Sequence, residues 1–506
     1  MVDVFSPGII EGFYRAVALD NILYCLVGVT LGMVVGVIPG IGTLAAISLL
    51  IPLTFYLEPL TAISLLAGIY YGSAYGGSTA SILLNLPGTA SSAVTCLDGY
   101  PMTKKGRAGP ALFITAIASF VGAIFGTLVL AVSAEPFARL ALQFRAQEYF
   151  SLMVLGLIAA TMMTSAGAAK SLVMVALGLL IGMVGIDGTS GTTRFAFGVI
   201  ELYDGVSLVA IALGLFGLSE LMRNVGHMPT SVSTVDFRFK ALLPNRKDWR
   251  EMWPAIARGS GLGSLLGTLP GTGSIAASFL SYALERKTSR TPEKFGKGAI
   301  EGIAGPESAN NAAIQTAFIP TFTLGIPGDP VVALLLGVLI IHGVTPGPQF
   351  IVAESAMFWG VIFTFIVGNI ALLIMNIPLI GVWVRLLAIP YSFLFPSIVA
   401  FICVGAYSVS YSIVDLYILI LFGVVGYFAA VLKYPVAPLL LGFILGPMME
   451  QNFQRAMLLQ RGNILGFFER PLSAIFLLLA LVMLILPLVS SLNARKRNRA
   501  VLGARE

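Results

Sequence analysis

Long apolar runs dominate the chain and recur at 110–133, 150–165, 169–186, 205–222, 358–381, 411–432 and 472–490. A helix needs roughly 20 mostly apolar residues to cross a bilayer, so runs of this kind along the whole chain accommodate about eleven to thirteen crossings, some of them broken. A membrane barrel would instead alternate polar and apolar positions over segments of about ten residues, and these runs are continuously apolar. The pattern therefore predicts an all-α integral membrane protein, a polytopic helix bundle. The opening "MVDVFSPGIIEGFYR" has acidic and aromatic residues before its first apolar run and lacks a basic, cleavable signal. That run is expected to be retained.

The apolar runs are interrupted in a paired way. "GVIPGIGTLAA" at 36–46 has a twin in "GTLPGTGSIAA" at 267–277, displaced by 231 positions (267 minus 36). Upstream, Gly28, Gly32, Gly36 and Gly40 fall every fourth residue, as do Gly259, Gly263, Gly267 and Gly271. A second pair, "LNLPGT" around Pro87 and Gly88 and "LGIPGD" around Pro327 and Gly328, is displaced by 240 (327 minus 87), so the second copy holds nine more residues between its motifs. The expected organisation is a first repeat over 1–222, a basic linker over 223–252, a second repeat over 253–490 and a basic tail over 491–506.

Charge adds an orientation. Short cytoplasmic loops collect Lys and Arg, and the basic residues here cluster at Lys104, Lys105 and Arg107; at Arg223, Arg238, Lys240, Arg246, Lys247 and Arg250; at Arg286, Lys287, Arg290, Lys294 and Lys297; and at Arg495, Lys496, Arg497 and Arg499. All four clusters, and with them the C-terminus, are expected in the cytoplasm; a nucleic-acid or lipid-binding patch is the rival reading for the tail. In the first copy "FYLEPL" follows the first motif without positive charge and "KKGR" follows the second. In the second copy "ERKTSRTPEKFGKG" follows the first motif and "HGVTPGPQ" the second. Equivalent loops thus lie on opposite faces, the inverted-topology repeat typical of secondary transporters. Composition agrees: 57% of residues are hydrophobic, 11% are charged and the mean hydropathy is +0.92, against about 25% charged residues in soluble domains.

Proline removes a backbone donor and glycine is the most permissive residue, so Pro-Gly within an apolar run favours unwinding. Free backbone at membrane depth is tolerated only where protein buries it or a water-filled cavity takes it up. Half-helix N-termini suit carboxylates, and unwound carbonyls suit Na⁺. The breaks are read as functional, whereas the glycine ladders are read as close helix packing. Polar residues gather around the second motifs: Ser78, Thr79, Ser81, Asn85, Thr89, Ser91 and Ser92 in the first copy, and Glu307, Ser308, Asn310, Asn311, Gln315, Thr316, Thr321, Thr323 and Asp329 in the second. Ionisable groups at membrane depth are functional candidates, which makes Glu307 and Asp329 candidate proton or cation sites unless each lies at a hairpin mouth.

Other features point to structure. Cys25, Cys96 and Cys403 are isolated thiols without disulfide or metal-ligand spacing. Asp187 and Arg194 are expected to pair at a loop, and Asp415 and Lys433 to lie at the interface. His227 and His342, the two histidines, form no metal cluster. The P-loop pattern G-x-x-x-x-G-K-[ST] is absent, so no ATPase is expected.

The segments "GVIPGIGTLAA", "YYGSAYGGSTASILLNLPGTASS", "GPESANNAA" and "TLGIPGDPVVALLLGVLIIHGVTPGPQ" resemble the hallmark segments of the large membrane subunit of the tripartite tricarboxylate transporters, over essentially the full length. The resemblance implies a bacterial inner-membrane carrier for tricarboxylates such as citrate or for related organic acids. It also implies an ion gradient as the drive, with Na⁺ or H⁺ as coupling ion and no cofactor, and as partners a periplasmic solute-binding protein and a small four-helix membrane subunit. What the family binds in its Pro-Gly hairpins maps onto Gly40, Gly42, Thr43, Asn85, Gly88, Thr89, Gly271, Gly273, Ser274, Asn310, Asn311 and Gly328. Ser78, Thr79 and Pro327 complete the candidate substrate site, Asp329 is an acid not expected beside an anionic substrate, and no nucleic acid is expected as partner. The rival classes are a channel, since paired re-entrant breaks also build selectivity filters, and an intramembrane enzyme, against which the scarcity of histidine and of clustered acids argues.

Overall fold

A computed structural model describes residues 7–38, 42–162, 164, 167–224, 242–269, 273–379, 381–383 and 391–485. Pro39, Gly40, His227, Arg238, Lys240, Pro270, Gly271 and the basic tail lie outside the described residues. In the first half run α1 (Pro7–Ala16), α2 (Leu19–Val37), α3 (Thr43–Thr54), α4 (Pro59–Leu84), α5 (Ala93–Lys104), α6 (Ala108–Ala141), α7 (Ala146–Met162), α8 (Ala168–Gly182), α9 (Leu208–Ala212) and α10 (Ser219–Asn224). In the second half run α11 (Arg246–Gly267), α12 (Gly273–Thr288), α13 (Glu301–Thr316), α14 (Phe318–Leu324), α15 (Pro330–Ile341), α16 (Pro348–Ala353), α17 (Ser355–Asn376), α18 (Tyr391–Ser410), α19 (Ile413–Val431), α20 (Ala437–Leu459) and α21 (Gly466–Glu469), followed by an apolar helix α22 over Pro471–Ile485. The expected all-α class holds, with one addition: β1 (Gly185–Ile186) pairs antiparallel with β2 (Thr193–Arg194).

Among the described residues, α2, α6, α17 and α19 are long and apolar enough to cross a membrane. Much of the remaining apolar sequence lies in shorter helices such as α3 and α15, of 12 residues each, because the Pro-Gly breaks cut the runs before a full span is reached. The helix ends follow their local chemistry. Pro59 starts α4 at a position where its missing N–H costs nothing, and Asn245 and Asp248 form a reciprocal capping box at the start of α11.

The described chain groups into two compact units, one of Met1–Leu142 with Ser207–Phe428 and one of Gln143–Val206 with Ala429–Glu506. In the first unit α2 lies along α4 and α11 along α13, and the glycine ladders are the seams. A Cβ on Gly32 would stand 2.4 Å from the Ile69 carbonyl, and one on Gly263 2.2 Å from the Ala309 carbonyl. Backbone meets backbone there, as close helix packing in membranes requires. The two repeats also exchange partners: α6 of the first packs on α13 of the second, and α17 of the second on α4 of the first. Such reciprocity is what a twofold relation between repeats produces.

In the second unit α20 packs on α7 and α8, with Gly178 against the Leu439 carbonyl. Arg194 forms the expected pair with Asp187 at 3.6 Å, but its closer partner is Glu450, met by both guanidinium nitrogens at 2.6 and 3.1 Å. In the first unit, Asp415 is buried and accepts from Ser410.

Candidate functional site

The breaks have matching backbone in the two repeats. At the first motifs, Gly42 (φ +69°) precedes α3 and Gly273 (φ +60°) begins α12. At the second motifs, Asn85 ends α4 with φ 58° and Gly325 ends α14 with φ 70°, a left-handed cap that glycine and asparagine tolerate best. Gly88 sits where a Cβ would collide with the Gly36 carbonyl and Gly77, and Gly328 where it would collide with Ala317. Side chains at these two positions would force the hairpins apart.

Helix α4 joins the motifs of both repeats. Thr43 at the start of α3 and Ser73 on α4 share a hydrogen bond of 2.8 Å, and Ser73 also donates to the Tyr70 carbonyl. From the same turn, the Tyr70 phenol donates to Asp329 Oδ2, with the Ser274 side chain beside it. Asp329 in turn caps α15, its Oδ1 accepting from the Val332 N–H at 2.8 Å. Thr43 and Ser274 are counterparts under the displacement of 231 (274 minus 43), and both converge on one turn of α4.

A second cluster surrounds Glu307. Its Oε1 accepts from Ser78 on α4 at 2.6 Å and from Thr95 on α5, and its Oε2 accepts from Ser119 on α6 at 3.2 Å. The carboxylate is 1% exposed. It lies inside α13 rather than at a hairpin mouth, and one carboxylate of the second repeat binds three helices of the first.

The other expected residues fall around these two clusters. Thr79 donates to the Tyr75 carbonyl of its own helix, and Asn311 to the Glu307 carbonyl. Thr89 Oγ1 accepts from the Ser92 N–H at 3.3 Å, and Pro327 is buried. Asn310 is 1% exposed, yet neither atom of its amide has a partner. Gly40 and Gly271 lie outside the described residues. A cavity of about 810 Å³ opens elsewhere in the first unit, with Arg15, Asp20, Glu58, His342 and Glu354 in its wall and none of the break residues. Among the described residues no group of His, Cys, Asp and Glu is arranged to hold a metal ion, and the three cysteines are free.

Sequence reasoning did not single out Tyr70, Ser73, Thr95 or Ser119. For Tyr70 a signal existed, because the displacement of 240 sets it opposite Asn310 (310 minus 70). Ser119 shares α6 with Thr115, Thr127 and Ser133, and nothing local distinguishes it from Thr127 and Ser133, which bond their own helix.

Comparison with known proteins identifies a family. The Tripartite tricarboxylate transporter TctA family matches residues 22–441. The chain is similar to an "Uncharacterized 52.8 kDa protein in TAR-I ttuC' 3'region" of Agrobacterium vitis, 47% identical over 496 residues, covering 98% of each chain. It is also similar to an "Uncharacterized protein in TAR-II ttuC' 3'region" of the same organism, 50% identical over 234 residues, covering 46% of this chain and 97% of the relative. No solved structure matches. With the family matched over most of its length, the chain belongs to the TctA family of tripartite tricarboxylate transporters.

Proposed function

We propose that the chain is the carrier subunit that moves a small organic carboxylate across the bacterial inner membrane, driven by Na⁺ or H⁺. A periplasmic solute-binding protein would deliver the substrate and a small four-helix membrane subunit would complete the complex. The observation that carries this reading is the convergence of the broken helices of both repeats on one turn of α4, through Thr43 with Ser73 and through Asp329 with Tyr70. Broken helices paired across a repeat place N–H groups and helix dipoles where an anion can be held away from lipid.

Glu307 supplies the coupling site in this reading. A buried carboxylate with three hydroxyls offers oxygens of the kind Na⁺ takes, and the carboxyl itself can take a proton. Alternating access would come from movement of the motif-bearing hairpins against their surroundings. The test is uptake by the three-subunit complex in proteoliposomes, with di- and tricarboxylates presented under imposed Na⁺ or pH gradients. Accumulation above the external concentration under one of the two gradients is expected. Flux that only ever runs downhill would mark a channel and overturn the reading.

A further inference from the structure

The two second motifs share one side-chain hydrogen bond at matching positions. Thr89 and Asp329 are related by the displacement of 240, as are Ser92 and Val332 (329 minus 89; 332 minus 92). Thr89 Oγ1 accepts from the N–H of Ser92 at the start of α5, and Asp329 Oδ1 accepts from the N–H of Val332 at the start of α15. Asp329 thereby caps α15 directly, whereas Thr89 holds the N–H of Ser92, the residue just before α5.

The two acceptors differ in charge and in what faces them. In the second repeat the cap is a carboxylate, and its other oxygen is taken by Tyr70 from α4 of the first repeat. In the first repeat the acceptor at the matching position is a neutral hydroxyl, that of Thr89. The residue at the Tyr70 position there is Asn310 on α13, fully buried and without a partner for its amide N–H₂ or its carbonyl. Asn310 stands one turn from Glu307, whose carboxylate meets Thr95 on α5, so this face of α13 is turned toward α5. An unpaired buried amide is costly, because it gives up water without gaining a partner. The tips differ too: Asn85 and Pro87 are exposed and Thr89 half-buried, whereas Gly325 to Asp329 are buried.

We infer that Asp329 is a built-in carboxylate occupying one of two equivalent carboxylate positions, so that the substrate fills only the other, formed by Thr89, the α5 N-terminus and Asn310. This rests on the proposed carrier function and narrows it. The substrate offers one carboxylate to the open position, and a second fixed negative charge, Asp329, stands at the counterpart position and repels a further substrate carboxylate. The class that fits is a mono- or dicarboxylate rather than a tricarboxylate, and Asp329 with Tyr70 sets that selectivity.

The experiment is competition for uptake by the three-subunit complex, with succinate and malate as dicarboxylates and citrate as tricarboxylate. The native complex is expected to take the dicarboxylates at least tenfold better than citrate. Asp329→Asn and Asp329→Thr, the latter restoring the residue of the first repeat, are each expected to shift the ratio at least tenfold toward citrate. Asn310→Ala should lower uptake of every carboxylate by a similar factor without changing the ratio. A native complex that takes citrate as well as succinate overturns the inference, as does an unchanged ratio in a folded, transporting Asp329 variant. Absence of gradient-driven uptake of any carboxylate by the native complex would instead overturn the carrier function itself.

Discussion

Glu307 gathers hydroxyls from three helices of the other repeat, so the effect of a substitution depends on whether shape or charge is removed. Glu307→Ala takes the acceptor from buried Ser78, Thr95 and Ser119, and a buried donor left unpaired costs about 1–3 kcal/mol; a lowered thermal midpoint in detergent is expected. Glu307→Gln keeps the volume and one acceptor oxygen and removes the charge. The folded Gln variant is expected to exchange labelled substrate across the membrane at equilibrium but to fail to accumulate it against a gradient. Full accumulation by Glu307→Gln would remove Glu307 from the coupling site. Glu307 is legible in the sequence as an ionisable residue in an apolar context, and its three hydroxyl partners are not. Serine and threonine in membrane helices commonly bond their own backbone, as Thr79 does and Ser78 does in part, at 3.1 Å to the Ala74 carbonyl.

At the scale of elements, the glycine ladders decide how closely α2 approaches α4 and α11 approaches α13. Helix α11 contains its own control. A Cβ on Gly263 meets the Ala309 carbonyl at 2.2 Å and Cα at 2.6 Å, whereas one on Gly261 meets nothing within 4 Å. Gly263→Ala is expected to destabilise by about 1–3 kcal/mol, the usual cost of overpacking. Gly261→Ala should be neutral or stabilise by up to about 1 kcal/mol, because glycine is the weaker helix former. Thermal unfolding of the two variants side by side checks the pair, and equal midpoints would exclude the close approach. These ladders were legible as packing seams from their four-residue spacing, which keeps one helix face free of side chains. Break positions were legible for a similar reason, since proline and glycine act on their own stretch of backbone.

For the whole molecule, transport by moving hairpins requires that Thr43 and Ser73, 2.8 Å apart through their hydroxyls, separate during the cycle. In a chain with Cys25, Cys96 and Cys403 replaced by serine, the Thr43→Cys and Ser73→Cys pair bridged by mercuric ion is expected to stop uptake, and reductant with chelator to restore it. Uptake at full rate in the bridged protein would show that α3 and α4 move together.

The sequence by itself determined the helical membrane class, the two copies, their displacements of 231 and 240 and the four breaks. Each of these is written in local properties: run length, glycine spacing and Pro-Gly dipeptides. Only the tertiary structure decided which polar groups meet. Tyr70 reaches Asp329 across 259 positions and Ser119 reaches Glu307 across 188, because α4 and α6 of one repeat pack against elements of the other. A hydroxyl's partner in a membrane helix is set by the neighbour that packing supplies, and no local pattern carries that information.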